Sequence, residues 1–325
     1  MTDPKENSEG FEQKIVPVLE RYESQRKKCL KNWGISVLVI ALVCFGGAFL
    51  ISQKSSEAPA KVMFVGVLIT GVLGFIALSV TTKGYKRGFK DEVIRAVVHA
   101  YQADLHYQPA NYISEHTFRA SELFLQGIDR YSGEDYVSGK RDKTDFEFSE
   151  IHAEYKTTTR DSKGRTKTRW HTIFKGVFFI ADFHKDFRTH TVVLPDTAEK
   201  LFGFLGKKLQ SMNIMRDELI KLEDPEFEKA FCVYGGDQVE ARYILSPGLM
   251  RRILECKAKF SSKIYLAFLD SKVYVAISSN KNRFEPRVFQ SVNDMSLIHE
   301  YKEDLDLIVD IVDDLNLNTR LWSKE

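Results

Sequence analysis

Twenty consecutive residues, Trp33 to Ser52, carry no charge, and twenty-one more, Val62 to Thr82, follow after a short gap. Nothing else in the chain restricts its fold as tightly. A helix rises about 1.5 Å per residue, so either stretch is long enough to cross a hydrocarbon core of about 30 Å. The first holds eleven Ile, Leu, Val or Phe residues and the second twelve. At about −0.3 to −0.6 kcal/mol for each such residue, insertion is favoured by several kcal/mol. A core helix of a globular protein carries a polar stripe, and neither stretch has one. Ala58-Pro59-Ala60 resembles a signal-peptide cleavage site, but a 32-residue leader and an over-long apolar run argue against cleavage.

The flanking charges set the expected orientation. Arg21, Arg26, Lys27, Lys28 and Lys31 precede the first stretch, and Lys83, Lys86, Arg87 and Lys90 follow the second. The connecting loop has only Lys54 and Lys61. Basic residues stay on the cytoplasmic side, so both termini are expected there. The expected plan is a helical arm at 1–32, spans at 33–52 and 62–82, an external loop at 53–61, and a cytoplasmic region at 83–325 with a sub-division near 212–222. Gly66, Thr70 and Gly74 form a row of small residues that lets helices approach closely, within the hairpin or between copies in a homo-oligomer.

Residues 83–325 carry 38 Lys/Arg and 38 Asp/Glu. Such a neutral balance speaks against nucleic acid, whose binders draw much of their affinity from phosphate neutralisation. Cys29, Cys44, Cys232 and Cys256 form no CxxC pair, which fits a reducing compartment and no disulfide framework. Cys232 and Cys256 read as small buried hydrophobes rather than nucleophiles.

The fold class expected for the remainder is α+β, with antiparallel sheet and packed helices. The arm carries an apolar stripe, Phe11, Ile15, Val18 and Tyr22, in a helix expected to start near Pro17. Helical spacing continues from Lys86 to Leu105 with Pro109 as its stop, and a shorter helix is expected over Ser114–Phe124. Residues 131–194 alternate like an antiparallel meander, with a polar, basic hairpin tip at Thr157–Trp170 around Gly164. Helices are expected at Asp196–Gln210, at Leu222–Phe231 behind the Asp224-Pro225 cap, and after Ser246-Pro247. Val239–Leu245 reads as a strand, and Ile264–Phe268 with Val273–Ile277 as a hairpin turning at Asp270-Ser271. A final helix should carry Ile298, Tyr301, Leu305, Ile308, Val312 and Leu315 on one face. The segments Tyr131–Val137 and Tyr234–Val239 echo one another, each expected to follow a helix and enter a strand.

Chemistry is sparse. No Walker loop, GxGxxG, HExxH, nucleophile elbow or zinc spacing occurs, so no metal or cofactor is assigned. Asp182, His184 and Asp186 alternate at a strand end and would share a face there, a weak candidate for metal ligation or acid–base work set against an ordinary polar turn. On a strand, Glu240 and Arg242 would also share a face, an ion pair by default or, with Tyr243, a partner- or ligand-reading set. Lys156, Arg160, Lys163, Arg165, Lys167 and Arg169 crowd the hairpin tip against one acid, Asp161. They are candidates for docking on anionic lipid headgroups.

Several strings occur in order: Gly133-Glu-Asp-Tyr-Val-Ser-Gly139, Phe148-Ser-Glu150, Phe174-Lys-Gly176-Val-Phe-Phe179 and Val193-Leu-Pro-Asp196. Leu222-Glu-Asp-Pro-Glu-Phe-Glu228, Phe231-Cys-Val-Tyr234 and Asp237–Pro247 complete the series. The series resembles the bacterial membrane-protein family known as domain of unknown function 3137. The resemblance implies a bacterial inner-membrane protein and a LemA-type membrane protein as partner. It implies no catalytic residue. The function expected is a membrane-tethered cytoplasmic interaction or scaffold module that binds a protein or the membrane surface. The alternative is a membrane-bound, metal-assisted enzyme working through Asp182, His184 and Asp186.

Overall fold

In the computed structural model, residues 4–54, 59–183, 185, 188–196 and 218–317 are described. The chain forms two compact units, Met1–Ala100 with Phe284–Tyr301, and Tyr101–Arg283 with Lys302–Glu325.

The first unit is built on two long helices, α1 (Pro4–Lys54) and α2 (Pro59–Phe89). The arm and the first apolar stretch are one helix rather than two elements. It starts well before Pro17 and runs through it. A proline removes one backbone donor, but a helix whose flanking face is packed tolerates the loss, and Ile15, Leu19 and Tyr22 are all buried beside it. After α2 the chain passes through a π-helical turn, Lys90–Ile94, into α3 (Arg95–Tyr101). The π turn inserts one residue into the helical repeat and turns Phe89, Val93, Ile94, Val97 and Val98 inward together. The helix ends at Tyr101, short of the expected Leu105.

The small-residue row lies between the two helices. A Cβ on Gly74 would stand 3.3 Å from Val37 Cγ2, and one on Gly66 would stand 3.9 Å from the Cys44 carbonyl oxygen and 4.0 Å from Ala48 Cβ. Trp33 Nε1 donates to the Gly74 carbonyl at 2.8 Å. The row thus serves packing within the hairpin. Thr70, Thr81 and Thr82 each return their hydroxyl to a carbonyl four residues back, so none needs water.

The second unit is organised by a nine-stranded antiparallel sheet. In chain order its elements are β1 (His106–Gln108), α4 (Glu115–Ala120), β2 (Arg130–Arg141), β3 (Thr144–Arg160), β4 (Thr166–Asp182), β5 (Thr191–Pro195), β6 (Glu218–Ile220), α5 (Pro225–Ala230), β7 (Phe231–Gly235), α6 (Gln238–Ile244), α7 (Pro247–Phe260), β8 (Ile264–Leu269) and β9 (Lys272–Ser278). Helices α8 (Met295–Val309) and α9 (Ile311–Asp314) follow. The spatial order is β1-β2-β3-β4-β9-β8-β5-β7-β6.

The meander is right for β2, β3 and β4 and wrong for β5. The hairpin β8–β9, which turns on Asp270 and Ser271 with positive φ, inserts beside β4 and leaves β5 to pair with β8 and β7. Local alternation identifies a strand but not its neighbour, because pairing is decided by which edge remains open. Gly176 on β4 has φ +148, and a Cβ there would lie 2.0 Å from the Ile277 carbonyl oxygen. The β4–β9 approach thus requires glycine at this position.

Central strands are buried residue after residue, so both faces of the sheet are covered. On one face Phe118 of α4 packs against Phe174 and Phe178, with ring centroids 5.9 and 4.9 Å away, in a cluster that includes Ile151, Ile180, Val192 and Ala276. Capping follows the sequence at Ser114, Asp224 and Ser246, whose side chains accept from the first-turn amides.

Three further expectations fail. Val239–Leu245 is the helix α6, not a strand, because Asp237 accepts from Val239 N and Glu240 N at 2.6 and 3.1 Å and opens a helical turn. Ala241, Ile244 and Leu245 then share the buried side while Val239 faces solvent. The echo between 131–137 and 234–239 breaks for the same reason: the first copy lies wholly in β2, whereas the second leaves β7 and enters a helix. The final helix is also interrupted, between Val309 and Ile311. The helix expected at Asp196–Gln210 lies, beyond Asp196, outside the described residues, as does most of the span 212–222 up to Asp217.

Candidate functional site

Both apolar stretches are helical, and their large side chains face outward. In their most apolar windows only 6% and 11% of residues are buried. Leu42, Val43, Phe49, Leu50, Phe64, Phe75 and Val80 are each more than 60% exposed. These are two helices long and apolar enough to cross a membrane, with their apolar side chains turned away from the protein.

Just before the first stretch, a strap formed by Phe284–Tyr301 is clasped to α1 and α2. Glu285 meets Lys86 at 2.9 Å and the buried Lys90 at 3.0 Å. Burial raises the Glu285 pKa, but the two ammonium groups outweigh it and hold the carboxyl below its ordinary range. Tyr85 donates its hydroxyl to the Arg287 carbonyl, and Arg26 Nη1 donates to the Val288 carbonyl at 3.0 Å. Glu23 accepts from Arg26 at 2.6 and 2.9 Å and from Val292 N at 3.0 Å. The Arg26 hydrogen bonds, opposed by burial and helped by Val292, lower the Glu23 pKa from 4.5 to about 2. This clasp has no sequence motif, since its halves lie more than 190 residues apart.

In the second unit, β3 and β4 extend as a two-stranded ribbon in which residues 156–170 are all exposed. It carries the six basic residues expected at the tip. Arg165 is engaged by Asp161 at 2.9 Å, and Lys156 stands 3.8 Å from Asp129. Among the described residues, Arg160, Lys163, Lys167 and Arg169 meet no carboxylate. At the ribbon base the exposed Trp170 lies under the Arg130 guanidinium, 4.4 Å from ring centroid to Cζ.

The Glu240, Arg242 and Tyr243 set lies on α6. With 238–244 helical, Glu240 and Arg242 no longer share a strand face and do not pair. The Glu240 carboxylate instead accepts from Arg188 N, Thr189 N and the Thr189 hydroxyl. Arg242 donates to the Lys221 carbonyl. Burial opposes ionisation of Glu240, yet these hydrogen bonds keep its pKa below the ordinary value. Lys185 Nζ sits 4.7 Å from the Tyr243 ring centroid. Glu240 and Tyr243 therefore hold the segment after β4. Of Asp182, His184 and Asp186, the histidine and the second aspartate lie outside the described residues, and Asp182 pairs with Lys272 in the β4–β9 register. The buried Cys256 thiol is pushed up to about 12 by burial, unsuited to a thiolate nucleophile.

One acidic group matches no motif in the sequence. At a bulge in β2, Glu134, Asp135 and Glu150 bring carboxylate oxygens within 4.8 Å of one another. Such a set is chemically suited to a hard divalent cation. Tyr107 donates its hydroxyl to Asp135 at 2.5 Å, and Arg283 N donates to Glu150 at 2.8 Å. Beside them a cleft of about 220 Å³ is lined by Glu134, Glu150, His152, Lys175 and Lys281. The signal was present in Gly133-Glu-Asp and Phe148-Ser-Glu150, but only strand register brings the two strings together.

The family resemblance holds over the second half of the chain. The model of the family described as Protein of unknown function (DUF3137) matches residues 172–317. The strings at 133–139 and 148–150 lie outside that span. No curated protein and no solved structure matches the chain.

Proposed function

We propose that this chain is a membrane-tethered interaction module of the bacterial inner membrane, with α1 and α2 as its two spans and both termini on the cytoplasmic side. The observation that supports it is the outward-facing apolar surface of the two helices. Left in water, that surface would cost about 25 cal/mol per Å². The Lys and Arg residues before Trp33 and after Thr82 favour the same orientation.

The module's working surface is the basic ribbon, and its occupant is the anionic headgroup layer to which the tether confines it. Near such a surface each of the four cations that meet no carboxylate among the described residues contributes about 1 kcal/mol. A LemA-type protein remains the partner implied by family resemblance. A second copy of the chain loses the support of the small-residue row, which the hairpin uses internally.

Two measurements test this reading. Intact protein should resist alkaline extraction from vesicles, and a reporter fused after residue 90 should be active on the cytoplasmic side. Release by alkali, or a reporter on the opposite side, would overturn it. For the ribbon, tryptic cleavage at Lys163 and Arg165 in full-length protein should be several-fold slower in nanodiscs containing anionic lipid than in neutral ones. Equal rates would remove the lipid from the proposal.

A further inference from the structure

We infer that the strap Phe284–Tyr301 is itself a membrane contact: Phe289 enters the headgroup–acyl boundary beside Trp33, making a chain segment far from the spanning helices part of the bilayer footing. The inference rests on the reading of α1 as a span.

Phe289 is 65% exposed, although the rest of its segment is tied down. The flanking backbone is held at Arg287 by the Tyr85 hydroxyl, at Val288 by Arg26 and at Val292 by Glu23. Three anchors over six residues fix where the intervening side chain projects. It projects to Trp33, with ring centroids 5.9 Å apart in an edge-on geometry. Trp33 is the first residue of the uncharged stretch, and its indole N–H is satisfied by the Gly74 carbonyl. Just before it, Lys27, Lys28 and Lys31 line an open groove with Glu20 and Glu23 of α1 and Asn293 of the strap.

The local order along α1 is thus lysines, then an aromatic pair, then aliphatic side chains. This is the gradient from phosphate through carbonyl to hydrocarbon in a bilayer leaflet. An exposed phenylalanine in water would gain nothing from being held so firmly. At the interface it buries its ring against acyl chains while the adjacent Gln290 and Ser291 stay hydrated.

The test uses full-length protein in nanodiscs and tryptophan quenching by lipid brominated high on the acyl chain, against aqueous iodide. Native Trp33, observed in a W170F/W322F background, serves as the benchmark. The probe is Phe289→Trp in a W33F/W170F/W322F background. The expected result is bromolipid quenching of the probe within about twofold of the benchmark, with weak iodide quenching. A probe quenched by iodide and not by bromolipid, while Trp33 is quenched by bromolipid, overturns this inference alone. If Trp33 too is reached only by iodide, the spanning reading falls with it. Should Trp33 removal disturb the strap, Gln290→Trp in the W170F/W322F background gives the second reading. Added bromolipid quenching beyond that of Trp33 is expected, and iodide-only quenching of the added signal counts against the inference.

Discussion

The paired helices and the nine-stranded sheet are both rich in Leu, Ile, Val and Phe, yet they dispose of them in opposite ways. In the sheet unit the large apolar side chains are inside; Phe118, Phe178, Phe179 and Phe268 are essentially inaccessible. In the helical pair the comparable residues, from Ile35 to Val80, point outward and small residues take the contact. Apolar content alone therefore does not say where a core is. What differs is whether the backbone hydrogen bonds close within each element, as in a helix, or need a neighbouring strand. A helix closes its own backbone hydrogen bonds, so its side chains can face an apolar surrounding without a neighbouring strand.

Substitutions can break this comparison. The largest difference is expected between Phe178→Ala, which opens a cavity in the sheet core and should destabilise by about 4 kcal/mol, and Leu42→Ala, which should change stability by less than about 0.5 kcal/mol. Chemical denaturation of both variants in the same detergent measures it. Equal losses would mean that Leu42 is buried in the folded protein. Next, Glu23→Ala strands Arg26 in the clasp and should cost about 3 kcal/mol.

The same clasp predicts a pH dependence. The Glu23 carboxyl is depressed from 4.5 to about 2, so its contribution is fully present above 4.5 and is lost as pH falls towards 2. Thermal unfolding of wild type and Glu23→Gln should converge over that window, and a constant gap would refute the assignment.

If α1 spans a bilayer as proposed, Leu42→Arg places a charge near its middle and should disfavour insertion by about 2.5 kcal/mol, read as the fraction resisting alkaline extraction. The smallest effect, about 1 kcal/mol, is expected for Asp237→Ala, which removes the cap of α6. Amide exchange confined to residues 238–244 would show the loss, whereas exchange spreading to β7 would mean that Asp237 does more than cap.

Much of the fold was legible locally. The apolar helices, the caps at Asp224 and Ser246, the Asp270-Ser271 turn and the basic hairpin each rest on residues within one or two turns of one another. The errors share a cause. The 239–245 segment satisfies a strand's composition, yet Asp237 had only to supply two capping hydrogen bonds to make it a helix. Thr191–Pro195 was legible as a strand but not as the partner of β7 and β8. The candidate sites divide in the same way: the ribbon's charges lie along one hairpin, while the Glu134/Asp135/Glu150 group and the Glu240 clamp join residues from separate strands and helices.

The sequence by itself determined where apolar helices form, which residues begin and end most of the local elements, and where positive charge gathers. Those features depend on hydropathy, backbone preference and charge acting over a few residues. The tertiary structure decided the strand order, the helical fate of 238–244, and the docking of Phe284–Tyr301 against helices more than 180 residues earlier. Such choices depend on closing long loops around whichever edges and faces remain unsatisfied, and no local window contains that information.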